Sequence, residues 1–367
     1  MIFVSLIGVS LYGLFVSTVH QTYEYSFVVT FISQLINLGI GLLVFSLYIK
    51  KSKENVIIRH LIYIFIAQST IQFISFVSPE INELLNFFRN ENAISIGQEG
   101  YGNLRGLSIS GSAFFGLGAV YGLIYIVYII NWDKLFKNNK LLKIAFFILL
   151  IFGGLSAART SLVGILFGVL YLIIKRLFVE KYVFKYNLNI KPLKTITSVL
   201  LLFSLLISLY FIGLTEQFNS QFQRFMNFAF QFVYNYLETG EVYTTSTNTL
   251  FNKMYFKISD FTLLVGDGLY TNPDGSYYMN TDAGYMRDVL YFGIPGVIFL
   301  FIYQTTFFLW RRKKHLLQNI IIIFYILIVH IKGDVLGYLI MMQNILFLVF
   351  LFNYFNNKKD NILKKNT

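Results

Sequence analysis

Asp282, Arg287 and Asp288 fall within seven residues, where the polar stretch Gly266 to Gly296 (GDGLYTNPDGSYYMNTDAGYMRDVLYFGIPG) runs back into hydrophobic sequence. A carboxylate set beside a cation can take a proton from a hydroxyl. A guanidinium offers paired, fixed donors that match the oxygens of a phosphate or pyrophosphate. Asp282 is the first choice for the base, because it precedes Arg287 by five residues; Asp288, Glu99 and Asp334 follow. Each carboxylate taken alone reads first as structural and only second as catalytic. Arg287 is readable as a simple ion-pair partner of Asp288 or Asp282. In the long loop that ends here, tyrosines stand at 243, 255, 270, 277, 278 and 285. Their plain reading is packing at a membrane interface. Of the six, Tyr278 and Tyr285 are the candidate substrate contacts.

Three other cations belong to the same reading: Arg105, Arg159 and Lys332. Arg105 is also readable as an interfacial side chain whose stem lies along apolar surface, and Lys332 as the structural partner of Asp334. Metal chemistry has little support in the spacing. The histidines at 20, 60, 315 and 330 are scattered, with no HExxH, and no EF-hand loop is present. There is no nucleophile elbow and no P-loop. With no cysteine at all, thiolate catalysis, disulfides and Cys-ligated metals are excluded. The expectation is chemistry without metal or cofactor, driven by an already activated donor.

The elements that must position these residues are membrane helices. The 367 residues are 56% hydrophobic and only 13% charged, about half the charged share of soluble domains. The formal charge of +12 does not argue for nucleic acid, because the basic residues lie between apolar runs, as they do in cytoplasmic loops. Ten runs are candidate spans: about 2–19, 26–49, 57–77, 107–130, 144–157, 161–174, 195–214, 285–309, 316–330 and 335–355. The first lacks a charged leader and a cleavage site, so it reads as a retained helix. The basic segments 50–59, 131–143, 175–194, 311–315 and 358–365 all fall on one side if every run spans, which places both termini in the cytoplasm. The expected architecture is an all-α polytopic protein. It has an N-terminal bundle over 1–214, a large outward loop over 215–284, and C-terminal spans with a tail over 285–367.

Within that loop, Phe218, Phe222, Phe225, Ala229 and Phe232 recur at helical spacing opposite Gln217, Gln221, Arg224, Asn227 and Gln231. The pattern predicts a helix from Glu216 to about Leu237 lying in the outer interface. Helix length sets the depth of the cations. Between Lys143 and Arg159 lie 15 residues, about 22 Å at helical rise, against a hydrocarbon core of about 30 Å. Leu316 to Val329 is similarly short, about 21 Å, and is followed by His330, Lys332 and Asp334. Charges at such depth persist where they face a polar cavity or one another. The four cations Arg105, Arg159, Arg287 and Lys332 are therefore expected to converge on an outward-facing cavity.

Three stretches carry a family resemblance: SAARTSLVGILFG at the tip of the short hairpin, NTDAGYMRDVLYFGIPG ending the long loop, and HIKGDVLGY in the penultimate turn. Together with the layout they resemble the bacterial O-antigen and capsular polysaccharide polymerases (Wzy-type) of the O-antigen ligase/polymerase superfamily. The resemblance implies an inner-membrane glycosyltransferase with its active site facing the periplasm. Such an enzyme joins undecaprenyl-pyrophosphate-linked oligosaccharide repeat units, with Arg159 and Arg287 at the pyrophosphates. It also implies a chain-length regulator and a flippase as partners. The ligase branch carries a histidine near the end of its large loop. Here Thr281-Asp282 stands there, which favours polymerase over ligase. A lipid-linked oligosaccharide flippase is the alternative from another class; it predicts mid-span cations and an inverted repeat.

Overall fold

The computed structural model describes residues 1–51, 56–89, 91, 94–95, 109, 114–136, 139–180, 216–308 and 315–365. These residues are helical, apart from turns and one isolated bridge between Thr271 and Tyr277. In order the helices are α1 (Ile2–Val19), α2 (Ser26–Lys51), α3 (Val56–Val77), α4 (Pro79–Asn86), α5 (Phe114–Ile130), α6 (Lys140–Ala157), α7 (Ser161–Ile174), α8 (Glu216–Ala229), α9 (Gln231–Thr239), α10 (Thr245–Thr249), α11 (Asp260–Val265), α12 (Gly284–Thr306), α13 (Leu316–His330) and α14 (Ile340–Lys365). Five of them, α1, α2, α3, α6 and α12, are long and apolar enough to cross a membrane, and the chain is membrane-embedded on that ground. The described parts of α5, α13 and α14 are shorter and apolar. The expected span at 195–214 lies outside the described residues.

The chain divides into two compact units that do not follow its order: 1–60 with 245–367, and 61–244. Within the first unit α1 packs on α12, and α2 on α14.

The second unit is built around backbone contact between α5 and α7. A Cβ on Gly164 would overlap the backbone of Gly122, and one on Gly118 would come within 2.6 Å of the Ala158 side chain. Small residues spaced four apart on both helices allow this approach, which is how apolar helices gain packing energy where lipid is as apolar as leucine. On its other side α5 presents buried Tyr121, Tyr125 and Tyr128. Their hydroxyls donate to Gln72 Oε1 (2.7 Å), the Leu150 carbonyl (2.9 Å) and the Lys143 carbonyl (2.8 Å). Such partners remove the cost of burying a hydroxyl.

The hairpin of α6 and α7 is longer than its charges suggest. Asn139 caps α6 by accepting the Leu142 N–H at 3.0 Å, so the helix starts at Lys140 and runs 18 residues, about 27 Å. Lys143 is inside it, 7% exposed, with its ammonium over the Trp132 ring. A lysine stem can lie along apolar surface in this way, and so Lys143 does not mark the helix end. The helical turn of α7 also continues past Lys175 as a π-helix to Glu180. By contrast α13, with 15 residues or about 22 Å, is as short as expected.

In the first unit the decisive local feature is a break in α12. Gly293 has φ +67 and Pro295 follows within the helix. Pro295 has no N–H for the Tyr291 carbonyl, so the i→i−4 ladder is interrupted. The N–H of Gly268 donates to that carbonyl instead (3.2 Å), and the N–H of Asp267 to the Leu290 carbonyl (2.6 Å). Freed backbone groups within a membrane must find such substitutes. The approach requires glycine on both sides: a Cβ on Gly266 would overlap the Tyr291 carbonyl, and one on Gly293 would sit 2.8 Å from the Leu264 carbonyl. The two ends of the polar stretch thus close on each other.

Candidate functional site

The loop between α11 and α12 is held from outside by Glu24, in the turn between α1 and α2. Its carboxylate accepts the N–H of Tyr270 (2.6 Å), the N–H of Thr271 (3.1 Å), the Thr271 hydroxyl (2.9 Å) and the Ser26 hydroxyl (2.9 Å). Tyr291 donates to the Glu24 carbonyl at 2.8 Å, and Thr22 to the Gly268 carbonyl at 2.7 Å. The loop is thereby pinned on two sides, and two of its tyrosines are presented to Arg287.

Arg287 is 7% exposed and stacked, with its guanidinium carbon 3.5 Å from the centroid of the Tyr270 ring and 4.1 Å from that of Tyr277. Rings that stack on a guanidinium hold its faces and leave the N–H fork at the rim. Its Nε has no hydrogen-bond partner among the described residues. The simple ion-pair reading of Arg287 does not hold: neither Asp282 nor Asp288 is within ion-pair distance of it. Asp282 is half-buried just before α12. Burial raises its carboxyl above the ordinary carboxylate range, against the opposing pull of Lys332 and Arg287.

Asp288 turns the other way and meets His330. Asp288 Oδ2 lies 3.0 Å from His330 Nε2, both side chains being fully buried. His330 Nδ1 accepts the backbone N–H groups of Val335 (3.0 Å) and Leu336 (3.3 Å). Those donors leave Nδ1 without a proton, so the neutral imidazole carries its hydrogen on Nε2 and donates it to Asp288. A Cβ on Gly284 would overlap the His330 carbonyl and sit 2.6 Å from the ring. Only glycine at the start of α12 admits the histidine. Asp334 completes the group: its Oδ1 is 3.9 Å from His330 Nδ1, and its Oδ2 accepts the Tyr270 hydroxyl at 2.6 Å. Burial, with Asp288 nearby, pushes the Asp334 carboxyl up to about 7. Asp288 Oδ1 and Asp334 Oδ1 are buried without a hydrogen-bond partner among the described residues.

Asp288, His330 and Asp334 bring three possible metal-ligating atoms within 4.8 Å of one another, a grouping that the scattered histidines of the sequence do not suggest. As a donor set it fits a metal poorly. A metal on Nε2 needs the ring proton on Nδ1, where two backbone N–H groups already point. The arrangement suits holding and moving a proton.

The remaining sequence candidates divide between the units. Lys332 Nζ donates to the Ser246 hydroxyl at 3.2 Å and its charge reaches Asp282. Tyr278 donates to Asp267 Oδ2 at 3.3 Å. Tyr285 spends its hydroxyl on the Leu327 carbonyl (3.1 Å) and sets its ring edge-on to His330 (4.5 Å), which is a packing role. Within the first unit, then, the charges of Arg287 and Lys332 both act on Asp282. Arg159 belongs to the second unit, where its Nη1 donates to Gln231 Oε1 at 2.6 Å and its guanidinium lies 5.0 Å from the Phe228 ring. Arg105 and Glu99 lie outside the described residues.

The expected amphipathic helix is present, but it breaks at Phe230 into α8 and α9. Among its described side chains Phe225, Met226, Ala229 and Phe230 are buried, with Phe225 against Phe76 and Phe152. Glu24 escaped the sequence reading, although a signal was there: it is the only Asp, Glu, Lys or Arg in the first 49 residues. Compared with family models, curated proteins and solved structures, the chain matches none.

Proposed function

We propose that the chain is a membrane glycosyltransferase of the O-antigen polymerase type. It joins oligosaccharide repeat units carried on undecaprenyl pyrophosphate at the periplasmic face of a bacterial inner membrane, within a ten-span, N-in and C-in topology. The observation that carries the reading is Arg287, buried and clamped between Tyr270 and Tyr277, with its charge and that of Lys332 both acting on Asp282. A fixed guanidinium rim next to a carboxylate of raised proton affinity suits attack by a sugar hydroxyl on an anomeric carbon bearing pyrophosphate.

In that step Asp282 takes the hydroxyl proton as the oxygen bonds to the anomeric carbon. The bond from that carbon to the pyrophosphate oxygen breaks, and the lipid pyrophosphate leaves with the electron pair. Arg287 and Lys332 hold the charge that develops on it. A base with affinity near the working pH is the more effective one. By the resemblance alone, Arg159 and Arg105 stay candidates for further phosphate contacts.

Replacing Arg287 by Ala in the host is the test. Surface glycan reduced to single repeats is the expected outcome, and normal long chains would end the reading. The ligase relative predicts something else on deletion, namely polymer retained on the lipid carrier. A flippase reading has one observation in its favour, the wholly buried Asp288–His330 pair on two membrane helices, since such pairs serve proton-coupled carriers. It predicts that repeat units accumulate on the cytoplasmic leaflet in the Asp288→Asn variant.

A further inference from the structure

Four buried carboxamide atoms on α2, α12 and α14 lack a hydrogen-bond partner among the described residues: Gln34 Oε1, Gln304 Nε2, Gln343 Oε1 and Asn344 Oδ1. The atoms beside them are bonded. Gln34 Nε2 donates to the Tyr303 hydroxyl at 2.6 Å, and Gln343 Nε2 to Gln304 Oε1 at 2.8 Å. Gln34, Tyr303, Gln304 and Gln343 are each 2% exposed or less. A buried polar atom without a partner is costly, and such atoms are kept where water completes their bonds.

The set continues to the buried acid group. Gln343 Nε2 also donates to the Val335 carbonyl at 3.3 Å, and the Val335 N–H donates to His330 Nδ1 at 3.0 Å. His330 meets Asp288, and the Oδ1 atoms of Asp288 and Asp334 are two more buried acceptors without a hydrogen-bond partner among the described residues. The linking segment, 331–339, is irregular between two apolar helices, with Gly333, Val335, Leu336 and Gly337 buried. Irregular backbone at membrane depth persists only inside protein or beside a water-filled cavity. On the outer side the acid group is covered. The Tyr270 hydroxyl sits on Asp334 and the Tyr285 ring stands edge-on to His330. Arg287 and Tyr338 are the other titratable groups close enough to act on Asp334.

The donor pattern identifies the occupant. Gln304 Nε2 and the proton of the Tyr303 hydroxyl need acceptors, whereas the three carboxamide oxygens and the two Asp oxygens need donors. A cation satisfies only the oxygens and is repelled by the two donors. An anion satisfies only the donors. Water does both, and a buried water makes about three such bonds.

We propose that the first unit holds a file of ordered water molecules running from Gln34 and Gln304 to Asp288, His330 and Asp334, and that protons reach this buried group along it. Each water passes one proton on and receives one from its neighbour, so a single charge moves and no water is consumed. The glycosyl-transfer step uses none of these residues, and the track stands apart from it.

Water-edited solid-state NMR of the isotope-labelled full chain in lipid bilayers reads magnetisation passed from water to side-chain nitrogens. The carboxamides of Gln304 and Gln343 and the imidazole of His330 should take it up as fast as side chains at the membrane surface. Uptake in the wild type as slow as that of the lipid-facing helix backbone overturns the proposal. Gln304→Leu combined with Gln343→Leu removes a donor and its acceptor together, a gentler change than stranding one of them. Gln34→Leu on α2 is the second variant, a single change that decides the matter if the pair does not fold. Fast uptake at His330 should be lost in each. If it persists, water reaches the acid group past Tyr270 or Tyr285 from the outer loop, and the track is wrong. Carboxamide signals that move with sodium concentration would show a bound cation in place of water, and would overturn it as well.

Discussion

The Tyr270 ring lies 3.5 Å from the guanidinium carbon of Arg287, and its hydroxyl donates to Asp334 at 2.6 Å. One side chain therefore fixes a cation with its face and a buried carboxyl with its edge. Two substitutions separate these roles. Tyr270→Phe keeps the stacked ring and drops the hydroxyl, so it should retain long-chain glycan. Tyr270→Ala removes the stacking, worth about 0.5–2 kcal/mol for a cation over an aromatic face. It should shorten the glycan towards the Arg287→Ala pattern. Glycan length profiles from the two strains check this, and equal profiles would show that the ring does not position the arginine.

Glu24 supports a second prediction. Four donors converge on its carboxylate, two of them backbone N–H groups of the loop that carries Tyr270 and Tyr277. Hydrogen bonds to a charged group contribute about 1.5–3 kcal/mol each, and losing the acceptor leaves the loop's donors unmet. Glu24→Ala should release residues 267–278 while leaving α12 folded. Hydrogen exchange should then rise by about tenfold or more at Tyr270 and Thr271, with the α12 amides unchanged. Continued protection at both positions would show that the loop is held by other contacts.

How much of this was legible in the sequence differs by kind of signal. Apolar run length and helical spacing are local properties, so α1, α2, α3 and α12 stand where the runs place them, and the long-loop helix exists. The boundary of α6 was misjudged because Lys143 reads as an anchor, yet its stem lies among apolar neighbours. Arg287 and Asp282 stood out by proximity in the chain. The partners that give them their setting did not: Tyr270 and Tyr277 reach Arg287 through a turn, and Glu24 acts across 246 positions of sequence on Tyr270. His330 meets Asp288 only because Gly284 lacks a side chain, a dependence that no spacing rule encodes. The polar stretch itself was recognisable by its glycines. That Gly268 stands in for the N–H missing at Pro295 needs the fold.

A third prediction concerns pH. Asp334 sits in the turn after α13, and burial together with the charge of Asp288 raises its carboxyl to about 7 in the folded chain, from about 3.9 when unfolded. Between those values the folded protein keeps a proton that the unfolded chain has lost. Stability therefore falls as pH rises, since the slope follows the difference in bound protons between the unfolded and native states. The contribution is fully present below about 4 and is lost as pH passes through about 7. Asp334→Asn carries no such proton and keeps an oxygen to accept from Tyr270. Thermal unfolding of both proteins in nanodiscs from pH 5 to pH 8 reads the difference. The wild-type midpoint should decline relative to the variant across this window, so that the variant becomes the more stable one at pH 8. Parallel profiles would mean that the Asp334 carboxyl is already ionised in the fold at pH 5, and that the Tyr270 hydroxyl donates to a permanent carboxylate.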